Sequence, residues 1–158
     1  MFITADAELQ EAPLHAHEQN RLSIPRLTLP THTIGDANVM AEAARMLVAA
    51  QAPVIIADRY ARSQQGMDNL VKLAMLLQAP VIDRLTRMNM PNTHYLCQTE
   101  RGGSLIAAAD CILSLEPVDL YGQFNEVIDQ LERVARPRIG KDARLISIST
   151  RDLSVRAN

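Results

Sequence analysis

The pentapeptide Gln-Ala-Pro-Val-Ile occurs twice in this chain. It stands at Gln51-Ala52-Pro53-Val54-Ile55 and again at Gln78-Ala79-Pro80-Val81-Ile82, a spacing of 27 residues. Each copy follows an amphipathic helical stretch and opens a short apolar run. A helix, a tight turn and a buried strand look like this when written twice. The spacing is close to one βα unit of about 30 residues. The apolar runs are continuous rather than alternating, as expected for parallel strands covered on both faces.

The rest of the chain extends the pattern. Asp36 is a good N-cap, and Val39, Met40, Ala43, Ala44, Leu47 and Val48 make one apolar helical stripe after it. A second helix spans residues 67–77, with Leu70, Val71, Leu73, Ala74 and Leu77 apolar. Residues 84–101 are irregular, broken by Asn89, Pro91 and Asn92. Gly102-Gly103-Ser104 starts a short helix with Ser104 as candidate cap. Residues 111–115 form a third strand. Over residues 121–135 the spacing of Phe124, Val127, Ile128, Leu131 and Val134 predicts a helix. Residues 144–149 form a fourth strand. Alternating helices and strands with short connections predict an α/β fold, a doubly wound parallel sheet with helices on both faces.

Residues 1–5 read as a strand that starts with no turn before it. Residues 7–34 hold Pro13, Pro25 and Pro30 with little periodicity, and so long a loop within one compact domain is uncommon. The expected organisation is residues 1–12 as the end of one domain, 13–35 as an interdomain linker and 36–158 as a second domain, truncated at its C-terminal end.

Composition narrows the function classes. Hydrophobic residues make up 47% and charged residues 22%, which is ordinary globular usage. A net charge of −2 and only 3% aromatic residues give no footing for a nucleic-acid platform. Basic residues concentrate late (Arg133, Arg136, Arg138, Lys141, Arg144, Arg151, Arg156). They read as a solvated face or a surface against another domain, with a phosphate site as the minority reading. Cys97 and Cys111 show neither metal nor disulfide spacing, which suits a reduced, cytoplasmic setting. No signal peptide or membrane-length apolar stretch is visible.

Taken in order, these segments resemble the central domain of thiamine-diphosphate-dependent enzymes, in the acetohydroxyacid synthase and benzoylformate decarboxylase group. Ala52-Pro53-Val54-Ile55-Ile56-Ala57 is similar to that domain's first strand. Leu73-Ala74 and then Gln78-Ala79-Pro80-Val81 are similar to its next helix and strand. Met90-Pro91-Asn92-Thr93-His94 resembles its Pro-x-x-His segment, and Ala109-Asp110 with Cys111-Ile112-Leu113-Ser114-Leu115 its Ala-Asp segment and strand. Arg144-Leu145-Ile146-Ser147-Ile148-Ser149 resembles its late strand. Phe2-Ile3-Thr4-Ala5 and the residues up to Pro13 look like the last strand of a pyrimidine-binding domain and the linker leaving it.

The resemblance implies a fragment, cut at both ends, of a 2-keto-acid decarboxylase or carboligase like acetolactate synthase. It implies thiamine diphosphate and magnesium bound outside this chain, by the pyrimidine- and diphosphate-binding domains of a homo-oligomer. The family's catalytic glutamate and its Gly-Asp-Gly magnesium motif belong to those domains; Gly35-Asp36-Ala37 reads as a turn and helix cap. No catalytic or metal-binding residue is therefore expected here, and neither nucleic acid nor membrane as partner. In this family the central domain spaces the other two and sometimes holds FAD or ADP.

The alternative is a free-standing ADP- or FAD-binding module. In doubly wound folds ligands lie outside the carboxyl ends of the strands. The candidate nucleotide-binding residues there are Arg59, Arg84, Thr86, Gly102 and Gly103. Arginine is a good fork for phosphate, and the two glycines open backbone N–H groups at a helix start. Against this, Asp58-Arg59-Tyr60 stands where a glycine-rich loop would cradle a diphosphate. Asp83 with Arg84 and Arg87 reads rather as a salt bridge closing its loop, and the two glycines as a plain turn and cap. His94 reads as a loop histidine, and His15 and His17 as surface linker residues rather than zinc ligands.

Overall fold

The computed structural model describes residues 35–84, 88–129, 131 and 134–150, together with residues 4, 6–13, 15, 17 and 23. Its contacts group Met1–His32 and Thr33–Asn158 into two units. In the first, α1 (Ala7–Glu11) is a short helix capped by the Asp6 carboxylate, which accepts the Glu8 N–H at 3.1 Å. A linker-like segment is therefore partly helical, as Ala, Glu, Leu and Gln favour once a cap is present. The rings of His15 and His17 stack with centroids 5.9 Å apart. The strand expected at residues 1–5 lies, except for Thr4, outside the described residues.

The second unit contains a four-stranded parallel sheet. Its elements run α2 (Ala37–Ala49), β1 (Pro53–Ala57), α3 (Gln64–Leu77), β2 (Val81–Asp83), a 3-10 turn (Thr99–Arg101), α4 (Gly102–Ala108), β3 (Cys111–Leu115), α5 (Leu120–Phe124), β4 (Asn125–Asp129), β5 (Val134–Pro137) and β6 (Arg144–Ile148). The strand order is β2-β1-β3-β6, all parallel. The chain steps outward from β1 to β2 and then returns to the opposite side of β1, which is the doubly wound topology.

Each face of the sheet has its own apolar layer. Ile55, Ala57, Val81, Leu113 and Leu115 pack with Leu47 of α2 and with Leu70 and Ala74 of α3. Val54, Ile56, Ile82 and Ile112 pack with Ile106 of α4 and Phe124 of α5. Helices thus cover both faces, and full burial explains the continuous apolar strands. Asp36 caps α2 through the N–H groups of Asn38 (2.8 Å) and Val39 (3.2 Å). Ser63 caps α3 through Gly66 N–H at 3.2 Å.

Three expectations need correction. On α2 the core-facing side chains are Ala43 and Leu47, with Met46 and Ala50 beside them, whereas Val39 and Val48 are 66% and 76% exposed. Ser104 does not cap α4: its hydroxyl donates to Arg101 carbonyl oxygen at 2.9 Å. The largest difference is at residues 121–135, where α5 stops at Phe124 and an antiparallel hairpin of β4 and β5 follows. The Asn125 side chain donates to Tyr121 carbonyl oxygen at 2.9 Å, closing the helix end. Val127 and Ile128 are β-branched and favour strand. The Asp129 carboxylate, at the end of β4, accepts Leu131 N–H at 2.8 Å, a local bond that competes with helix continuation. Of the apolar stripe only Phe124 is buried; Leu131 is 96% exposed.

Candidate functional site

The strand order reverses at β1, so the carboxyl end of β1 is where a ligand crevice belongs. Asp58 follows β1 and Asp83 ends β2. Both are the first polar residue after an apolar run, and both are buried. Their surroundings differ from an open crevice.

On the β3 side, Asp58 N–H donates to Leu115 carbonyl oxygen at 3.1 Å and Arg59 N–H to that of Glu116 at 3.3 Å. The Asp58 carboxylate accepts Val118 N–H at 2.9 Å. Glu116 has a left-handed backbone, with φ of 50°. Its N–H donates to Ile148 carbonyl oxygen at 2.8 Å. Its carboxylate accepts Thr150 N–H at 3.1 Å and the Thr150 hydroxyl at 3.2 Å, and lies 3.7 Å from the Arg62 guanidinium. The ends of β1, β3 and β6 are thereby tied together.

On the β2 side the tie is Asn89, which is fully buried. Its side-chain amide donates to Asp58 carbonyl oxygen at 2.6 Å and to the Asp83 carboxylate at 2.9 Å. Its side-chain oxygen accepts Ala61 N–H at 2.8 Å. Its own N–H donates to Asp83 at 2.8 Å. Asp83 N–H in turn donates to the Thr99 hydroxyl at 3.0 Å. A buried carboxylate and amide are stable only when satisfied in this way.

Of the five candidate nucleotide residues, Arg59 and Arg84 are exposed at neighbouring strand ends. Arg84 N–H donates to Ala57 carbonyl oxygen at 2.9 Å. Thr86, like Arg87, lies outside the described residues. Gly102 is buried, and a Cβ there would come within 3.2 Å of Ile82 Cγ2, so its role is close packing of α4 on β2. Gly103 is exposed and borders a shallow cleft with Glu126, Arg136 and Arg138. A larger cleft of about 640 Å³ lies beside β2, between Asp83, Met88, Cys97, Thr99 and Arg101. None of the four described candidates lines it.

A second cluster lies at the opposite end of the sheet. The Asp110 carboxylate accepts Gln51 N–H at 2.7 Å and Ala52 N–H at 3.0 Å. Those bonds, Gln51 first, hold its carboxyl below the ordinary carboxylate range. The neighbouring Cys111 thiol is pushed up by burial and, after that, by the Asp110 charge. Asp110 therefore fastens the first pentapeptide copy to the start of β3, which gives the Ala-Asp motif a structural role.

From the sequence alone Asn89 reads as a loop breaker. The signal for it is an asparagine between Met88 and Met90, followed by proline, in a loop leaving a buried aspartate. The second interior polar pair, Ser114 donating to Gln123 at 2.9 Å, is hidden in an apolar strand and a short, mostly apolar helix. Among the described residues no three His, Cys, Asp or Glu side chains group as a metal would require. No described helix is long and apolar enough to cross a membrane.

No family model matches the sequence, and no curated protein matches it. Among solved structures the chain is similar to one from Mycobacterium smegmatis assigned as a thiamin diphosphate-dependent enzyme. The match has 19% identity and a TM-score of 0.51 over 75% of this chain, and it spans 24% of that protein, about a quarter of its length. At that identity the likeness establishes a shared α/β fold.

Proposed function

We propose that this chain serves as the central, architectural domain of a thiamine-diphosphate-dependent 2-keto-acid decarboxylase or carboligase resembling acetolactate synthase. The observation that carries the reading is the doubly wound unit itself. Its order of β2-β1-β3-β6 and its match to one quarter of an enzyme assigned to that cofactor both support one domain of a larger protein.

The residues present do not fit thiamine diphosphate or its magnesium. Around the end of β1 the carboxyl edge is tied by hydrogen bonds between its own groups, and the described acids form no metal-like cluster. In this reading the cofactor and its metal are held by pyrimidine- and diphosphate-binding domains of an oligomer, and this domain sets their spacing. Exposed apolar side chains support packing against such neighbours: Val127, Ile128 and Leu131 on the hairpin, Val48 on α2 and Leu76 on α3. Two free cysteines suit a reduced cytoplasm.

The test has two arms. The purified chain, supplied with thiamine diphosphate and magnesium, is expected to leave pyruvate and benzoylformate unchanged; turnover would overturn the reading. Residues 35–150 grafted in place of the matching segment of the M. smegmatis enzyme are expected to give a folded chimera that binds thiamine diphosphate. A folded chimera without cofactor binding would count equally against it.

A further inference from the structure

We infer that this domain seals its own ligand crevice: at the carboxyl end of β1, Asp58 and Asn89 occupy the hydrogen-bonding positions that a nucleotide would use in an open doubly wound sheet. The inference concerns the crevice alone and does not depend on the thiamine reading.

A diphosphate in such a crevice needs backbone N–H groups free to point at it and a gap between neighbouring strand ends. Here five N–H groups around the carboxyl end of β1 are already committed. The N–H groups of Asp58, Arg59 and Arg84 donate to the carbonyl oxygens of Leu115, Glu116 and Ala57. Val118 N–H donates to the Asp58 carboxylate and Ala61 N–H to the Asn89 side-chain oxygen. The acceptors are matched as well, because the Asn89 amide meets both the Asp58 carbonyl oxygen and the Asp83 carboxylate.

Charge points the same way. The Asp58 and Asp83 side chains are buried on the two flanks of β1's carboxyl end. A phosphate entering there would displace hydrogen bonds on both sides and come to rest against two carboxylates. Arg59 and Arg84 are exposed, and a surface arginine offers an anion much less than a desolvated one does.

Asn89 is also the piece that a simple loop would lack. It is fully buried, and its side chain bridges two segments: the loop after β1, at Asp58 and Ala61, and the end of β2 at Asp83. Alanine at this position would remove all of these contacts and leave the Ala61 N–H without its present acceptor.

The experiment is an amide-resolved titration of the full chain with ADP and, separately, with FAD. The amides of Arg59, Ala61, Arg84 and Val118 are expected to show no saturable shift at millimolar nucleotide, and a saturable shift at these amides would overturn the seal. In Asn89→Ala, hydrogen exchange at Ala61 is expected to accelerate about tenfold or more. The Ile55 amide, bonded to Pro80 carbonyl oxygen at 3.0 Å, is the internal reference. Unchanged exchange at Ala61 would also overturn the assignment. If Asn89→Ala does not fold, the wild-type titration decides alone.

Discussion

The two copies of Gln-Ala-Pro-Val-Ile are identical in sequence and opposite in orientation. In the first, Val54 belongs to the α4–α5 layer and Ile55 to the α2–α3 layer; in the second, Val81 belongs to the α2–α3 layer and Ile82 to the α4–α5 layer. The register states the same thing, since Ile55 lies beside Val81 rather than beside Ile82. The cause is one residue of connection. α2 ends at Ala49 with an extended Ala50 as C-cap, so Gln51 lies two residues beyond the helix. α3 runs to Leu77, and Gln78 is itself the C-cap, left-handed at φ 49°. Side chains alternate along a strand, so a shift of one residue turns every one of them over. Identical words can thus specify opposite faces when the helix before them ends one residue later.

Four measurements would break or sharpen this contrast, in descending order of effect. Deleting Gln51 shortens the first connection to the length of the second and inverts β1, the strand between β2 and β3. Its apolar side chains would then face the wrong layers, a disruption beyond a domain's whole stability of about 5–15 kcal/mol. Loss of a cooperative urea transition is expected, and a wild-type transition would refute the connection-length argument.

Next comes Ile55→Ala, expected to cost about 2–5 kcal/mol in chemical denaturation, because the side chain is fully buried in the central strand. Ile82→Ala, on the three-residue edge strand, is expected at the low end of that range. Equal losses would remove the distinction between central and edge copies.

Asp110 supports only the first copy. Asp110→Asn is expected to destabilise by about 1 kcal/mol at neutral pH, the scale of one net hydrogen bond. The carboxyl is depressed in the fold, so its contribution is fully present above the unfolded value near 3.8 and is lost as pH falls through the lower folded value. Wild type and variant should therefore converge in acid denaturation profiles, and a constant gap down to strong acid would contradict the clamp.

The smallest effect is a difference of sign. Gln78→Gly relieves a left-handed backbone but forfeits the side-chain bonds to Met75 and Tyr95, for a net change within about 1 kcal/mol that favours the fold. Gln51→Gly, with no left-handed backbone to relieve, is expected to destabilise by up to about 1 kcal/mol. Thermal melts giving the same sign for both would sink the comparison.

The four strands of the main sheet, their parallel arrangement and the helices before the first three were legible because a repeated helix–turn–strand pattern leaves few topologies open. The flip between copies was not, since it depends on a helix ending one residue later, below the accuracy of boundaries read from pattern. The hairpin was hidden for another reason. Val127, Ile128, Leu131 and Val134 sit at helical spacing but are solvent-exposed, and periodicity reports a helix only when the stripe is buried. At the carboxyl edge the sequence pointed to Arg59 and Arg84 after the strands and to the glycine pair that opens α4. Asn89 stands out in the sequence only as a loop breaker, because its role comes from joining the loop after β1 to the end of β2.

The repeat also bears on inheritance. Were the codons of the two words also alike, slippage between them would remove 27 residues and leave one intact word at the junction. In that product Asp83 would stand where Ile56 now stands, since each is the residue that follows its copy. Ile56 is 1% exposed, in the layer with Ile106 and Phe124. A carboxylate set among those apolar side chains is costly to bury. The residue just past each word acts as a checksum on the gene: a shortened copy spells a plausible sequence and fails as a protein.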